Sequence, residues 1–213
     1  MKERLPYQTT DSCAACHQKQ EGNVVELFSH SVHAQKGIAC SRCHGGDSSA
    51  TDKQAAHSGR FVGQPSSEQV LTICGSCHRE QLATFKTSRH FPERRGVTRV
   101  DCVQCHGAHT VGSPKRNFSF AYYCSGCHGL EYLPELPSDF LKMLNLADDL
   151  TEAMNARANA GAAPAEEAIQ RRKEISRMIA RIVHGTDLKG GGEEIPRIVE
   201  SGNALKRILE IKK

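Results

Sequence analysis

Cysteine and histidine carry the chemistry of this sequence, and they come in one pattern. Cys13-Ala14-Ala15-Cys16-His17 is the first copy, and Cys40…Cys43-His44, Cys74…Cys77-His78, Cys102…Cys105-His106 and Cys124…Cys127-His128 repeat it. These five C-x-x-C-H units take up all 10 cysteines of the chain. The spacing is that of c-type haem attachment: two thiols add across the two vinyl groups of one porphyrin edge. The histidine beside the second cysteine then ligates the iron from the proximal side.

Two other uses of paired cysteines compete with that reading. Two C-x-x-C pairs can share one tetrahedral zinc, but five pairs do not divide evenly, and zinc needs no histidine after each pair. A disulfide or redox dithiol within each pair leaves the histidines equally unexplained. With 11 histidines in 213 residues, chance would place one after every pair roughly a few times in ten million. The expected cofactors are therefore five covalently attached haem c groups. Cys13, Cys16, Cys40, Cys43, Cys74, Cys77, Cys102, Cys105, Cys124 and Cys127 would attach them, with His17, His44, His78, His106 and His128 as proximal ligands.

Six histidines remain for the distal side: His30, His33, His57, His90, His109 and His184. An internal repeat sorts two of them. Phe28-x-x-Ser31-x-His33 aligns with Phe85-x-x-Ser88-x-His90, each lying between two attachment motifs, so residues 11–44 and 72–109 read as a doubled two-haem module. His33 and His90 share a place in it and are distal candidates. His30 matches Thr87 and is expected to neighbour a ring or a propionate instead. His109 stands three residues past His106, too close to cap that haem, and would reach an adjacent one. His57, alone in the polar stretch Gly45–Val70, is as readily solvated as ligating. His184 is the candidate for capping the fifth iron. Methionine, the usual competitor, does not occur between Cys13 and His128, so low-potential bis-histidine haems are expected.

The elements that position these groups are mainly α-helical, with much irregular coil. Beyond His128, Ser138 reads as the cap of a helix from about Asp139, with Phe140, Met143, Leu144, Ala147, Leu150 and Met154 at helical spacing. After the Gly/Ala turn Ala158–Ala163, Pro164 suits the first position of a second helix that buries Ile175, Met178, Ile179 and Ile182 and ends near Gly185. On that helix His184 shares the side of Lys173 and Arg177, a solvated basic face or one turned to a haem. Gly190-Gly191-Gly192 is a joint, and Pro196 opens a third helix carrying Ile198, Val199, Leu205, Ile208 and Leu209. The expected division is a haem-packed domain over 1–133, with its fifth haem at 124–128, and a helical hairpin or three-helix tail over 134–213. Such a tail packs on itself, on the haem domain or on a partner, including a second copy.

Composition bounds the rest. Apolar residues make up 38 %, aromatics 5 %, and there is no Trp. That is a thin core for the length, which haem surfaces would complete. The formal charge of +4 is offset by two propionates per haem, so it is no argument for nucleic acid. No run of 18 apolar residues spans a membrane. Haem attachment of this kind takes place outside the cytoplasmic membrane, so a periplasmic or extracellular location is expected. Met1-Lys2-Glu3-Arg4-Leu5-Pro6 is followed by no apolar run, and a signal or anchor is expected to have been removed.

Taken together, the doubled C-x-x-C-H…S-x-H…C-x-x-C-H-G module resembles that of periplasmic multihaem cytochromes c. It is similar to the small pentahaem donor of cytochrome c nitrite reductase and to decahaem outer-membrane conduits. The resemblance covers roughly residues 11–128 and implies stacked bis-histidine haems that pass electrons to a redox protein, whether a quinol dehydrogenase, a reductase or a conduit. The helical tail departs from the small carriers and is similar to helices closing larger multihaem enzymes. Two alternatives follow: a redox enzyme with one five-coordinate haem acting on a small nitrogen or sulfur compound, and a subunit of a conductive filament or complex. An electron-transfer protein without its own catalysis is the leading expectation, since no C-x-x-C-K site is present.

Overall fold

The computed structural model describes residues 11–19, 22–91, 100–111, 138–185 and 192–210. The fifth motif, with Cys124, Cys127 and His128, lies outside the described residues, as do the connector prolines before the tail. The described chain is helical with much coil and without strands. In order, its helices are α1 Ser12–His17, α2 Val24–Ser29, α3 Val32–Gln35, α4 Cys40–His44, α5 Lys53–Ala56 and α6 Ser67–Gly75. These are followed by α7 Arg79–Phe85, α8 Cys102–His106, α9 Ser138–Asn159, α10 Glu166–Gly185 and α11 Glu194–Leu209. None of the described helices is long and apolar enough to cross a membrane.

The chain divides into two compact units, Met1–His78 with Val100–Ser113 and Arg79–Arg99 with Pro114–Lys213. The first holds helices of one or two turns, too short to persist on propensity. Side chains that cap orphan N–H groups hold them instead. Asp11 caps α1, Ser31 caps α3, Asp52 caps α5, Ser66 caps α6 and Asp101 caps α8. Its buried apolar side chains among the described residues are few: Ala14, Ala34, Val70 and Leu71. Within this unit α1 touches α2 and α4, α2 touches α3, and α6 touches α8.

The second unit is built the other way, around a conventional apolar core. Phe140, Met143, Leu146 and Leu150 of α9 meet Ala168, Ile175, Ile179 and Ile182 of α10, and Ile195, Ile198, Leu205 and Leu209 of α11. Helix α7 joins this unit by packing on α10. Lys206 pairs with Asp149 at 2.8 Å and Arg181 with Glu194 at 2.9 Å, both bridging neighbouring helices.

Three details differ from the sequence expectation. Helix α10 starts at Glu166, two residues past Pro164, and α11 starts at Glu194, two residues before Pro196. Proline fixes φ and lacks an N–H, which suits both the residues just before a helix, as with Pro164, and its first turn, as with Pro196, so it does not mark the first helical residue. Ile208 is 60 % exposed. The buried stripe of α11 runs through Ile195, Ile198, Gly202, Leu205 and Leu209, and a residue next to Leu209 points about 100° away.

Gly202 is where α11 approaches α9 most tightly, because a Cβ there would fall on Cγ and both Cδ atoms of Leu146. Leu146 is itself buried and has nowhere to retreat. Gly202→Val is expected to destabilise the second unit by about 1–3 kcal/mol through overpacking. The helix-propensity gain, about 0.4 kcal/mol, is smaller. Thermal unfolding of the holoprotein by far-ultraviolet circular dichroism measures this, and an unchanged midpoint would contradict the packing.

Candidate functional site

Three of the four described motifs each occupy one helix. Within α1, α4 and α8 the two cysteines, three residues apart, share a face, and the histidine lies one turn past the first cysteine. The third motif starts in the last turn of α6. There the Cys77 and His78 amides both donate to the Cys74 carbonyl, at 3.3 and 2.9 Å, so the turn continues through the motif. After His44 and His106 the chain leaves at once through glycines with φ of +68° and +74°, a backbone region that favours glycine. A Cβ on Gly45 would also strike the Arg60 carbonyl.

The motif histidines face other histidines. Ring centres lie 6.1 Å apart for His17 and His57, 6.1 Å for His33 and His78, and 5.9 Å for His44 and His109. Each of these pairs joins one motif histidine to one histidine from outside the motifs. Metal–imidazole bonds are about 2.0 Å. Adding roughly 1.2 Å from nitrogen to ring centre on each side, two imidazoles on opposite sides of one metal sit about 6.4 Å apart. The interplanar angles of 81°, 45° and 14° show no preferred aromatic stacking, whereas rotation about a shared ligand axis leaves that angle free. The residues present fit haem iron between two imidazoles.

A second contact orients the His44 ring as metal ligands are usually oriented, through the other ring nitrogen. His44 Nδ1–H donates to the Val62 carbonyl at 2.9 Å, and the Val62 amide returns to the His44 carbonyl at 2.7 Å. This tautomer leaves Nε2 as the lone-pair nitrogen. The polar stretch between the modules is therefore a clamp, and its His57 ring also packs on Phe61 at 4.4 Å. Burial first, and then the facing His78, push His33 below its ordinary pKa, and burial and His44 do the same to His109. Both favour the neutral imidazole that a metal ligand requires.

The repeat seen in sequence has a local structural form. The Ser31 amide donates to the Phe28 carbonyl at 2.8 Å and the Ser88 amide to the Phe85 carbonyl at 2.9 Å. Both serine side chains are buried. Ser31 Oγ accepts from the Ala34 amide at 3.1 Å, capping the helix that bears His33, and Ser88 Oγ accepts from the His90 amide at 3.2 Å. His30 ends α2 in an exposed position, His90 is exposed, and His106 is half-buried. His184, also half-buried, donates from Nδ1 to the Ala180 carbonyl at 2.7 Å.

Residues not singled out from the sequence also shape the site: Val62, Ser31 as a cap, Asp11 and Asp101. The aspartates were visible as cap residues before the motifs, Asp101 with Gln104 three positions on, a pattern that starts a helix. Burial and the Asp11 carboxylate push the Cys13 thiol up to about 12 and Cys40 up to about 11. The Cys74 thiol is pushed up by its hydrogen bond to Cys102, by burial and by Asp101. The same hydrogen bond pushes the Cys102 thiol down. None of the eight described cysteines is in a disulfide. Among the described residues no three Cys, His, Asp or Glu side chains converge as a zinc ion would need.

Residues 32–129 match the cytochrome c3 family. The matched stretch takes in four of the five motifs, from Cys40 to His128, together with His33, His57, His90 and His109. It leaves Cys13–His17 and the C-terminal helices outside. No curated protein and no solved structure matches the chain. The match supports covalently bound haem c and multihaem electron transfer over that stretch.

Ser31 ties the shared turn to the short helix that bears His33. Ser31→Ala is expected to cost about 1 kcal/mol through loss of the cap and to loosen His33 against His78. A lower denaturation midpoint together with a growing high-spin fraction in the visible spectrum is the expected pair of results. Loss of stability with a fully low-spin spectrum would show that the cap does not govern the ligand.

Proposed function

We propose that this chain is a pentahaem c-type cytochrome that carries electrons to or from a redox protein partner through low-potential, mostly bis-histidine haems. The observation that carries the proposal is the set of three imidazole pairs, each joining a motif histidine to a histidine outside the motifs at about 6 Å. Bound haem supplies a one-electron iron couple, and a second axial histidine closes the position at which a substrate would bind. Cysteines of the five motifs attach the groups, including Cys124 and Cys127 with His128 as ligand. His57 serves with His17, His109 with His44, and His33 with His78. His90 and His184 are the distal histidines for the two remaining sites.

The residues around the imidazoles do the rest of the work. Val62 holds the His44 tautomer, Asp52 caps the short helix that ends at His57, and Ser31 fixes the turn before His33. Residues 1–133 form the haem-bearing part and 134–213 a helical tail. The partner is a quinol dehydrogenase, a reductase or an outer-membrane conduit, met in the periplasm or outside the cell. Absence of methionine between Cys13 and His128 supports the low potentials.

Intact mass of the denatured holoprotein is expected to exceed the chain mass by five haems. His57→Ala, His109→Ala and His33→Ala are each expected to convert one haem from low to high spin, while His30→Ala leaves all low-spin. A purified protein carrying zinc without haem would sink the proposal. A His33→Ala protein that stays fully low-spin would sink the ligand assignment.

A further inference from the structure

Among the described residues the buried charged side chains are Asp11 and Asp101, 6 % and 5 % exposed, and the axial and thioether chemistry above uses neither. Asp11 Oδ1 accepts from the Cys13 amide at 2.9 Å, and its Oδ2 accepts from the Cys40 amide at 3.0 Å. One carboxylate thus joins the first turns of α1 and α4, the helices of the first and second motifs. Asp101 caps α8, accepting from the Val103 amide at 2.9 Å, while the Gln104 side chain closes the box on the Asp101 amide. Helix α8 packs on α6, whose last turn carries Cys74. Cys13 and Cys40 therefore flank one buried carboxylate, and a second caps the helix of Cys102 where that helix packs on the helix of Cys74.

The two sites do not align in sequence. Asp11 comes two residues before the first motif of its module, and Asp101 comes one residue before the second motif of its own. The same environment is reached from opposite members of the pair. Capping alone does not explain the burial, since Asp52 caps α5 while exposed. Withdrawing a carboxylate from water is costly unless hydrogen bonds and helix N-termini compensate it, and both sites provide these.

We propose that Asp11 and Asp101 are positioning residues, one for each pair of attachment motifs. Asp11 holds two attachment helices together, Asp101 starts one against its neighbour, and the carboxylate of each lowers the reduction potential of the irons bound there. The inference rests on the haem reading above. Reduction adds an electron to iron, and a nearby anion opposes it. A unit charge about 10 Å away at an effective dielectric near 20 shifts a one-electron equilibrium by roughly tenfold or more. Tenfold corresponds to about 59 mV for one electron.

The test is a spectroelectrochemical titration of the full holoprotein. The parent protein is first checked for five haems and a low-spin spectrum, and failure there defeats the haem reading and not this one. Asp11→Asn is expected to raise two of the midpoints by about tenfold in the reduction equilibrium each, and Asp101→Asn to raise a different two. Asp139→Asn, on the surface of α9, is the control for a change in net charge and is expected to move none. Midpoints unmoved by Asp11→Asn, or all five moved alike, would overturn the proposal. Where Asp11→Asn matures without haem at the first two motifs, Asp11→Glu decides. Return of both haems with parental midpoints supports the charged clamp, and continued loss overturns it.

Discussion

Imidazoles facing each other across about 6 Å set the terms for the first unit. Setting rings at that spacing requires the backbone on both sides to be held. That unit has few buried apolar side chains among its described residues, namely Ala14, Ala34, Val70 and Leu71. Polar devices do the holding instead. Aspartates and serines cap helices of a turn or two, glycines let the chain turn sharply after His44 and His106, and Val62 returns to grip His44 from both its amide and its carbonyl. Large apolar ring surfaces suit a unit whose own apolar core is this small.

The second unit answers a different demand. Its helices bury a continuous cluster from Phe140 to Leu209, so it has a core of its own. Helix α7, which belongs to the second copy of the repeat, packs against α10, and Gly185 there leaves room for Thr84 and Thr87. The turn after α7 then carries Ser88 and His90. A helical tail with no attachment motif thus has a structural task in the haem-bearing chain: it anchors the segment that presents His90.

Much of this was legible in the residues. The motifs named their own chemistry, because two thiols and an imidazole at that spacing fit one porphyrin edge. Helical periodicity marked α9, α10 and α11, and the repeat separated His33 from His30. What the pattern could not carry was long-range pairing. Nothing local to His57 distinguishes it from a solvated histidine; only the return of the chain between Gly45 and Val62 sets it against His17. Asp11 was likewise unreadable as a bridge, since its second partner, Cys40, is supplied by a different helix. Proline misplaced two helix starts for a local reason, as both the residues just before a helix and its first turn accept it.

The order of the pairs along the chain bears on how the first unit can form. His17 meets His57, His33 meets His78, and His44 meets His109. Each later pair opens before the earlier one closes, so the three loops overlap. No pair can be assembled from a contiguous segment that excludes the others. Closing loops of this length costs entropy that grows only slowly with length, so the topology is affordable, but the cost is recovered only when the partners are present. Asp11 adds a fourth crossing, since its link to Cys40 starts before the first loop opens and ends within it. A chain wired in this way gains most of its order at once rather than site by site. Covalent attachment would suit that constraint, because thioether bonds would keep each ring on its own motif while the facing histidines, many residues away, come into place.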